Sequence, residues 1–463
     1  MNDMSIPFYA KSSDNQGYIK NMEVVGFIDI DNSGGAMFQP AIYKTADKYY
    51  LYGTNRGGKK GVHIADVTDP RNPKYLKTLQ LFDLEEYPTS NCLKLQVADD
   101  LLVVSLLSGG GPAAARVIDK DKVGKVKALN GVQIYSLKED PENPKFLSYW
   151  DNGVPHAFGV HRFMYNGGRY LHLASDAIGF EGMIYRVLDI IDPKNPVEVG
   201  RWWMPDQYAD GFPGRTYDPG APHNPVFMDQ SSLHGPPFVR DGKCYMGYSG
   251  AGLVILDVED VTRPKCLGQL KFQPAFSGGL GGSRTHTALP LPERDLVVVT
   301  NEGERFAWFT EEKIRESGAQ PMNNLHMVDV SDPYKPTMIA QFPYPEVPED
   351  YPYKNFNVAH FGIQGPFGPH NIHEPMVGKP GIEMRNDRLY CCYFHAGMRV
   401  YDISDEYYIK EIGYFIPPNP NYILHPNFPG PRLACTEDCV VDDRGNIFMT
   451  CLEDGVYVLR MKE

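Results

Sequence analysis

The chain is written in short apolar runs, each cut off by glycine, proline or aspartate. One unit recurs: an apolar run, a polar or glycine break, a second apolar run ending in Asp, a Pro turn and another strand. It reads Gly61-Val62-His63-Ile64-Ala65-Asp66-Val67 before Asp69-Pro70-Arg71-Asn72-Pro73, and Gly131-Val132-Gln133-Ile134-Tyr135 before Asp140-Pro141. It returns as Arg186-Val187-Leu188-Asp189-Ile190 before Asp192-Pro193-Lys194-Asn195-Pro196, as Gly252-Leu253-Val254-Ile255-Leu256-Asp257-Val258, and as Leu325-His326-Met327-Val328-Asp329-Val330 before Asp332-Pro333. Met398-Arg399-Val400-Tyr401-Asp402-Ile403 and Gly455-Val456-Tyr457-Val458-Leu459 complete seven copies. Runs this short, bounded by turn residues, predict strands, and their recurrence predicts a repeat architecture.

The seventh copy lacks the last strand of the unit. Met22-Glu23-Val24-Val25-Gly26-Phe27-Ile28 resembles Glu198-Val199-Gly200-Arg201-Trp202 and Cys266-Leu267-Gly268-Gln269-Leu270, which end earlier units. An N-terminal strand that completes the C-terminal unit closes a ring and leaves no open sheet edge. The expected fold is therefore all-β: a seven-bladed β-propeller, one domain over residues 1–463, with its surplus length in loops. When the strands of each blade are labelled A to D outward from the axis, the D–A and B–C connections share the top face and the Pro turns lie beneath.

Composition agrees with this reading. The 463 residues include 45 Gly, 39 Pro and 29 Tyr; so many aromatics exclude disorder, and turn residues in every apolar segment exclude a helical bundle. A net charge of −13 without a Lys/Arg-rich block argues against a nucleic-acid partner. No run approaches the roughly 20 apolar residues of a membrane span. The start, Met1 to Pro7, has neither a basic nor an apolar stretch, so the expected location is cytoplasmic with no membrane partner. The eight cysteines sit mostly in apolar segments and read as buried thiols, and Cys435 and Cys439 lack a second pair for structural zinc.

Aligning the units on the start of strand B brings out a chemical regularity. His161 precedes Leu171 by ten residues, as His234 precedes Cys244 and His286 precedes Leu296. In the sixth unit His373-Glu374-Pro375 matches His234-Gly235-Pro236, with an insertion from Gly378 to Arg385 before strand B. The expected metal ligands are thus His161, His234, His286 and His373, at the top of strand A where it lines the central channel. Imidazole donors suit zinc, copper, iron and nickel. Glu374 and Glu437 are placed to orient the imidazoles from behind. His156 and His370 sit just above the ring and are candidates for ligands, supporting groups or substrate contacts, so His370 competes with His373 for the sixth-blade position. On the same face, the B–C connections offer Ser175-Asp176, Asn301-Glu302 and Phe394-His395 among others, and His395 is the leading general acid/base candidate.

The unit resembles the LVIVD-repeat family of bacterial β-propellers, carried by Gly252-Leu253-Val254-Ile255-Leu256-Asp257 and the strand-Asp-turn-Pro units. The resemblance implies the fold and says little about activity. More distantly, the chain resembles selenium-binding and methanethiol-oxidase propellers, which use histidine-bound copper, and carotenoid-cleaving propellers, which hold iron by four histidines.

Together these readings lead to the expectation of an oxidoreductase, an oxygenase or oxidase with a mononuclear four-histidine centre. Fe(II) is favoured, with copper or another divalent metal as alternatives, and the substrate is a small, partly apolar or aromatic molecule. Long Pro- and aromatic-rich loops at about 203–230, 342–369 and 415–432 are expected to form a lid over the site. Two other readings stay open, a non-redox metal-dependent lyase or hydrolase and a non-enzymatic binding propeller. The oligomeric state is not legible.

Overall fold

The computed structural model describes residues 17–30, 37–54, 61–87, 90–108, 129–154, 159–180, 182–208, 231–272, 284–302, 324–356, 367–420, 433–452 and 455–462. The strands form seven four-stranded antiparallel sheets, the blades of a β-propeller. Blades one to five follow chain order, spanning Pro40–Leu79, Ser90–Asp151, Val160–Trp202, Phe238–Leu270 and Arg284–Gln341. Among the described residues, no helix is long and apolar enough to cross a membrane.

Closure uses the N-terminal segment twice. Met22–Ile28 pairs antiparallel with Gly455–Met461 and so supplies the outer strand of blade seven. Just before it, Tyr18–Lys20 pairs with Tyr414, Phe415 and Ile416 on the outside of blade six. The sheet of blade six otherwise consists of Arg388–Cys392, Met398–Asp402 and Lys410–Ile416, and its inner position is held by the single bridge Ile372–Cys391.

Each blade carries the same irregularity. The C–D register shifts by one residue, leaving Leu76, Leu147, Val199, Leu267, Ile339, Ile412 and Val25 as bulged residues of the outer strands. Such a bulge sharpens strand twist. Where a glycine follows the bulge it has a packing reason: a Cβ on Gly26, Gly200 or Gly268 would sit 2.3, 1.9 or 2.1 Å from the carbonyl oxygens of Pro70, Val261 or Pro333 in the next blade's turn. Between blades the apolar faces interleave, as where Tyr185 and Val187 pack with Met246 and Val254.

The sixth-blade insertion crosses the underside of the channel. Lys379 contacts Gln96 of blade two, Gly378 lies against Asn166 of blade three, Gly381 packs on Lys44 of blade one, and Ile382 bridges Asp442 of blade seven. This segment forms a floor to the axial channel.

Candidate metal centre

His161 and His286 lie on the inner strands Val160–Met164 and Arg284–Pro290, while His234 and His370 occupy the extended segments that lead into blades four and six. Their rings follow one another around the axis, with centroids 4.9 Å apart for His161–His234, 4.8 Å for His234–His286 and 5.0 Å for His286–His370. Burial holds His161, His286 and His370 well below the ordinary histidine range, so these rings are neutral, the form that ligates metals.

The sixth-blade member is His370, not His373. Register is set by backbone bonding to strand B: His234 N–H donates to Gly247 O at the end of that strand, and His370 N–H donates to Cys392 O at the equivalent end. The His-x-Pro likeness of His373 to His234 is local and does not set this pairing. His373 instead joins blades six and seven. Its Nε2–H donates to Glu383 O at 2.9 Å, and its Nδ1 accepts from Val441 N–H at 3.1 Å, which leaves it no lone pair for an ion.

Glu302, the last residue of strand B in blade five, reaches into the histidine arc. Its Oε2 lies 3.3 Å from His234 Nδ1 and its Oε1 3.3 Å from His370 Nε2. His370 Nδ1 lies 3.0 Å from the Glu437 carbonyl and 3.1 Å from Asn371 Nδ2, which turns Nε2 toward Glu302. A proton on Nε2 or a cation between the two atoms makes this approach attractive. Ligand atoms of His234, His286 and Glu302 all lie within 4.8 Å of one another.

Three further residues complete the axial chemistry. Arg162, buried beside His161, places Nη2 3.1 Å from His286 Nε2 and also donates to Asn371 Oδ1. Lys94 is 1% exposed, with Nζ 3.9 Å from Glu437 Oε1 and 3.8 Å from Asp438 Oδ2. Burial, reinforced by Arg162, brings the Lys94 ammonium down to about 7, and burial pushes the Asp438 carboxyl up to about 7. Glu437 also supports His370 through Oε1, 3.4 Å from Nδ1. Glu374 does not orient a ring of the arc. It sits in the floor with Lys379 Nζ at 2.9 Å and Gln96 Nε2 at 3.2 Å, and although burial opposes it, the Lys379 charge holds its carboxyl below the usual value.

His395 is likewise committed elsewhere. Its Nε2–H donates to Phe356 O at 3.1 Å and Tyr351 Oη–H donates to its Nδ1 at 3.0 Å, so it pins the loop after blade five. Its neighbour Phe394 turns the other way and stacks on His370, centroids 4.8 Å apart. Phe394 joins Phe38, Leu93, Leu107, Cys435 and Leu452 in a buried apolar cluster. His156 lies outside the described residues, as do 209–230, 357–366 and 421–432 of the three expected lid loops.

Sequence reasoning noted Glu302 only as a polar top-face residue and passed over Arg162, Lys94 and Asn371. The available signal was position: Glu302 ends the strand paired with the His286 strand, opposite Arg284. Arg162 follows a ring histidine directly.

A seven-bladed propeller with a buried histidine–carboxylate cluster at its axis is the class that fold and site define. Residues 319–342 match the model of the LVIVD repeat, within a ring of seven four-stranded blades. No curated protein matches the sequence. In fold it is similar to the periplasmic gluconolactonase of Pseudomonas aeruginosa (TM-score 0.51, 12% identity, covering 89% of this chain and 98% of that one). It is also similar to a putative 6-phosphogluconolactonase from Bacteroides uniformis (TM-score 0.50, 6% identity, 85% and 88%). BamB from Moraxella catarrhalis aligns with a TM-score of 0.42 at 10% identity over 96% and 98%.

Proposed function

We infer that this protein is a metal-dependent enzyme whose ion is held at the propeller axis by His234, His286 and Glu302, flanked by His161 and His370. The observation that carries this reading is the pair of 3.3 Å approaches of Glu302 to His234 Nδ1 and His370 Nε2, the latter on a ring whose pKa burial lowers. Two imidazoles and a carboxylate with neighbouring positions open are the donor set of non-heme Fe(II) oxygenases, so an oxidoreductase is the favoured activity. The same set is found in zinc hydrolases, which keeps hydrolysis as the second reading. When bound, such an ion supplies Lewis acidity and, if it is iron or copper, redox chemistry.

The chain's own groups do the rest. The Glu437 carbonyl and Asn371 Nδ2 hold His370 from behind at Nδ1, and Thr287 Oγ1, 2.7 Å from His286 Nδ1, holds His286 in the same way. Phe394 and the apolar cluster around it offer a small, partly apolar substrate a dry wall opposite the histidines.

Elemental analysis of purified protein, before and after chelation and reloading with Fe(II), Zn(II) or Cu(II), tests this reading. About one tightly held transition-metal ion per chain is expected, and Glu302→Gln or His286→Ala should remove it. Absence of any stoichiometric uptake would leave the binding-propeller alternative. If iron restores turnover and zinc does not, the redox reading holds over the hydrolytic one.

A further inference from the structure

The surroundings of Arg162 bear on what the ion would bind, an inference that rests on the metal reading above. A guanidinium has only donors, so Arg162 Nη2, 3.1 Å from His286 Nε2, donates to that lone pair. His286 Nδ1 is occupied by Thr287 Oγ1 at 2.7 Å. A neutral imidazole keeps one lone pair, and here Nε2 is the one it can offer a cation. An ion and Arg162 therefore compete for the same electrons.

Arg162 is buried. It is 2% exposed and donates to Asn371 Oδ1, and the Asn371 amide is itself tied to Glu437 O at 3.0 Å. A second cation is sealed nearby. Lys94 Nζ makes no hydrogen bond among the described residues; its closest carboxylate oxygens lie at 3.8 and 3.9 Å and the Phe38 ring centroid at 4.5 Å, which leaves its three N–H donors without acceptors. Beneath them the Glu374–Lys379–Gln96 floor closes the channel.

We propose that the open coordination position takes a carboxylate oxygen of a small substrate, which bridges the ion and the Arg162 guanidinium with Lys94 behind it. A carboxylate matches the guanidinium fork and places negative charge between two positive groups that otherwise repel. The substrate class is thus a small carboxylic acid whose apolar body faces Phe394, Leu93 and Phe38. Ion and carboxylate then bind synergistically, each raising the affinity of the other by the same factor.

Co(II) titration of the chelator-stripped full-length protein, followed by its visible absorption with and without millimolar benzoate, tests the proposal. In the wild type, benzoate should shift the bands and tighten Co(II) binding by about fivefold or more. Arg162→Met should bind Co(II) more tightly than wild type without benzoate and lose the benzoate effect, whereas Arg162→Lys, which keeps the charge, should retain it. Co(II) uptake that benzoate leaves unchanged, or an Arg162→Met protein that keeps the full benzoate effect, overturns the proposal and leaves the metal reading standing. Failure of the wild type to take up Co(II) overturns both.

Discussion

His370 and His373 are three residues apart, equally buried, and opposite in what they can do. His370 turns Nε2 toward Glu302, whereas His373 has both nitrogens spent on the backbone of two blades. Replacing each by alanine should therefore separate stability from metal binding. His373→Ala leaves Val441 N–H and Glu383 O unmatched in a buried seam, a loss of about 1–3 kcal/mol per group, seen as a lowered unfolding midpoint in urea with metal stoichiometry unchanged. His370→Ala should reduce metal affinity with a smaller effect on that midpoint. Three members of the histidine arc were readable from spacing alone, because His161, His234 and His286 each precede strand B by ten residues. The fourth was not, because the insertion after His373 broke the spacing and a triplet likeness stood in for it. The Glu302 contact was equally hidden, since a strand-end carboxylate says nothing in sequence about which ring it will face across the channel.

At the scale of the element, the Asp-led turns are the most regular feature of the molecule. Asp140, Asp192, Asp260 and Asp402 each accept the backbone N–H two residues on, at 2.9 to 3.1 Å. Side-chain bonds from Asn143, Asn195, Thr262 and Ser404, together with those backbone bonds, hold these carboxyls below the usual Asp value. A carboxyl depressed in the folded state stabilises it above the unfolded-state value of about 3.9 and loses that contribution as pH falls through the folded value. The melting temperature should accordingly fall as pH drops below about 4, and replacing these four aspartates by asparagine should flatten that acid limb while lowering stability at neutral pH. The glycines that follow four of the bulges, Gly26, Gly200, Gly268 and Gly413, belong to the same scale. Gly268→Ala would drive a methyl into Pro333 O, only 2.1 Å from the Cβ position, and overpacking of this kind costs about 1–3 kcal/mol, measurable by urea unfolding. Both motifs were plain in the sequence as repeated letters, although the reason for the glycine, a carbonyl in the next blade, needed the fold.

For the molecule as a whole, the ring and its closure were legible because strand Met22–Ile28 carries, at Val25-Gly26, the aliphatic-Gly step of Val199-Gly200 and Leu267-Gly268 in outer strands of blades three and four. Deleting residues through Ile28 should expose the edge of Gly455–Met461 and give a protein that aggregates or loses cooperative unfolding, read by light scattering and urea titration. The short strand Tyr18–Lys20 on blade six and the floor beneath the channel were not legible. A three-residue strand has no periodicity to detect, and the sixth-blade insertion has no repeat partner against which to align it.

The functional reading rests on one metal ion at the propeller axis, among His234, His286 and Glu302. Anomalous scattering from crystals of the Fe(II)- or Co(II)-loaded protein, collected on both sides of the metal's absorption edge, would locate it. One edge-dependent peak is expected on the axis, within bonding distance of His286 Nε2 and a Glu302 carboxylate oxygen, with Arg162 drawn away from His286. No peak at the axis, or a peak bound elsewhere while the Arg162–His286 contact stays intact, would contradict that reading.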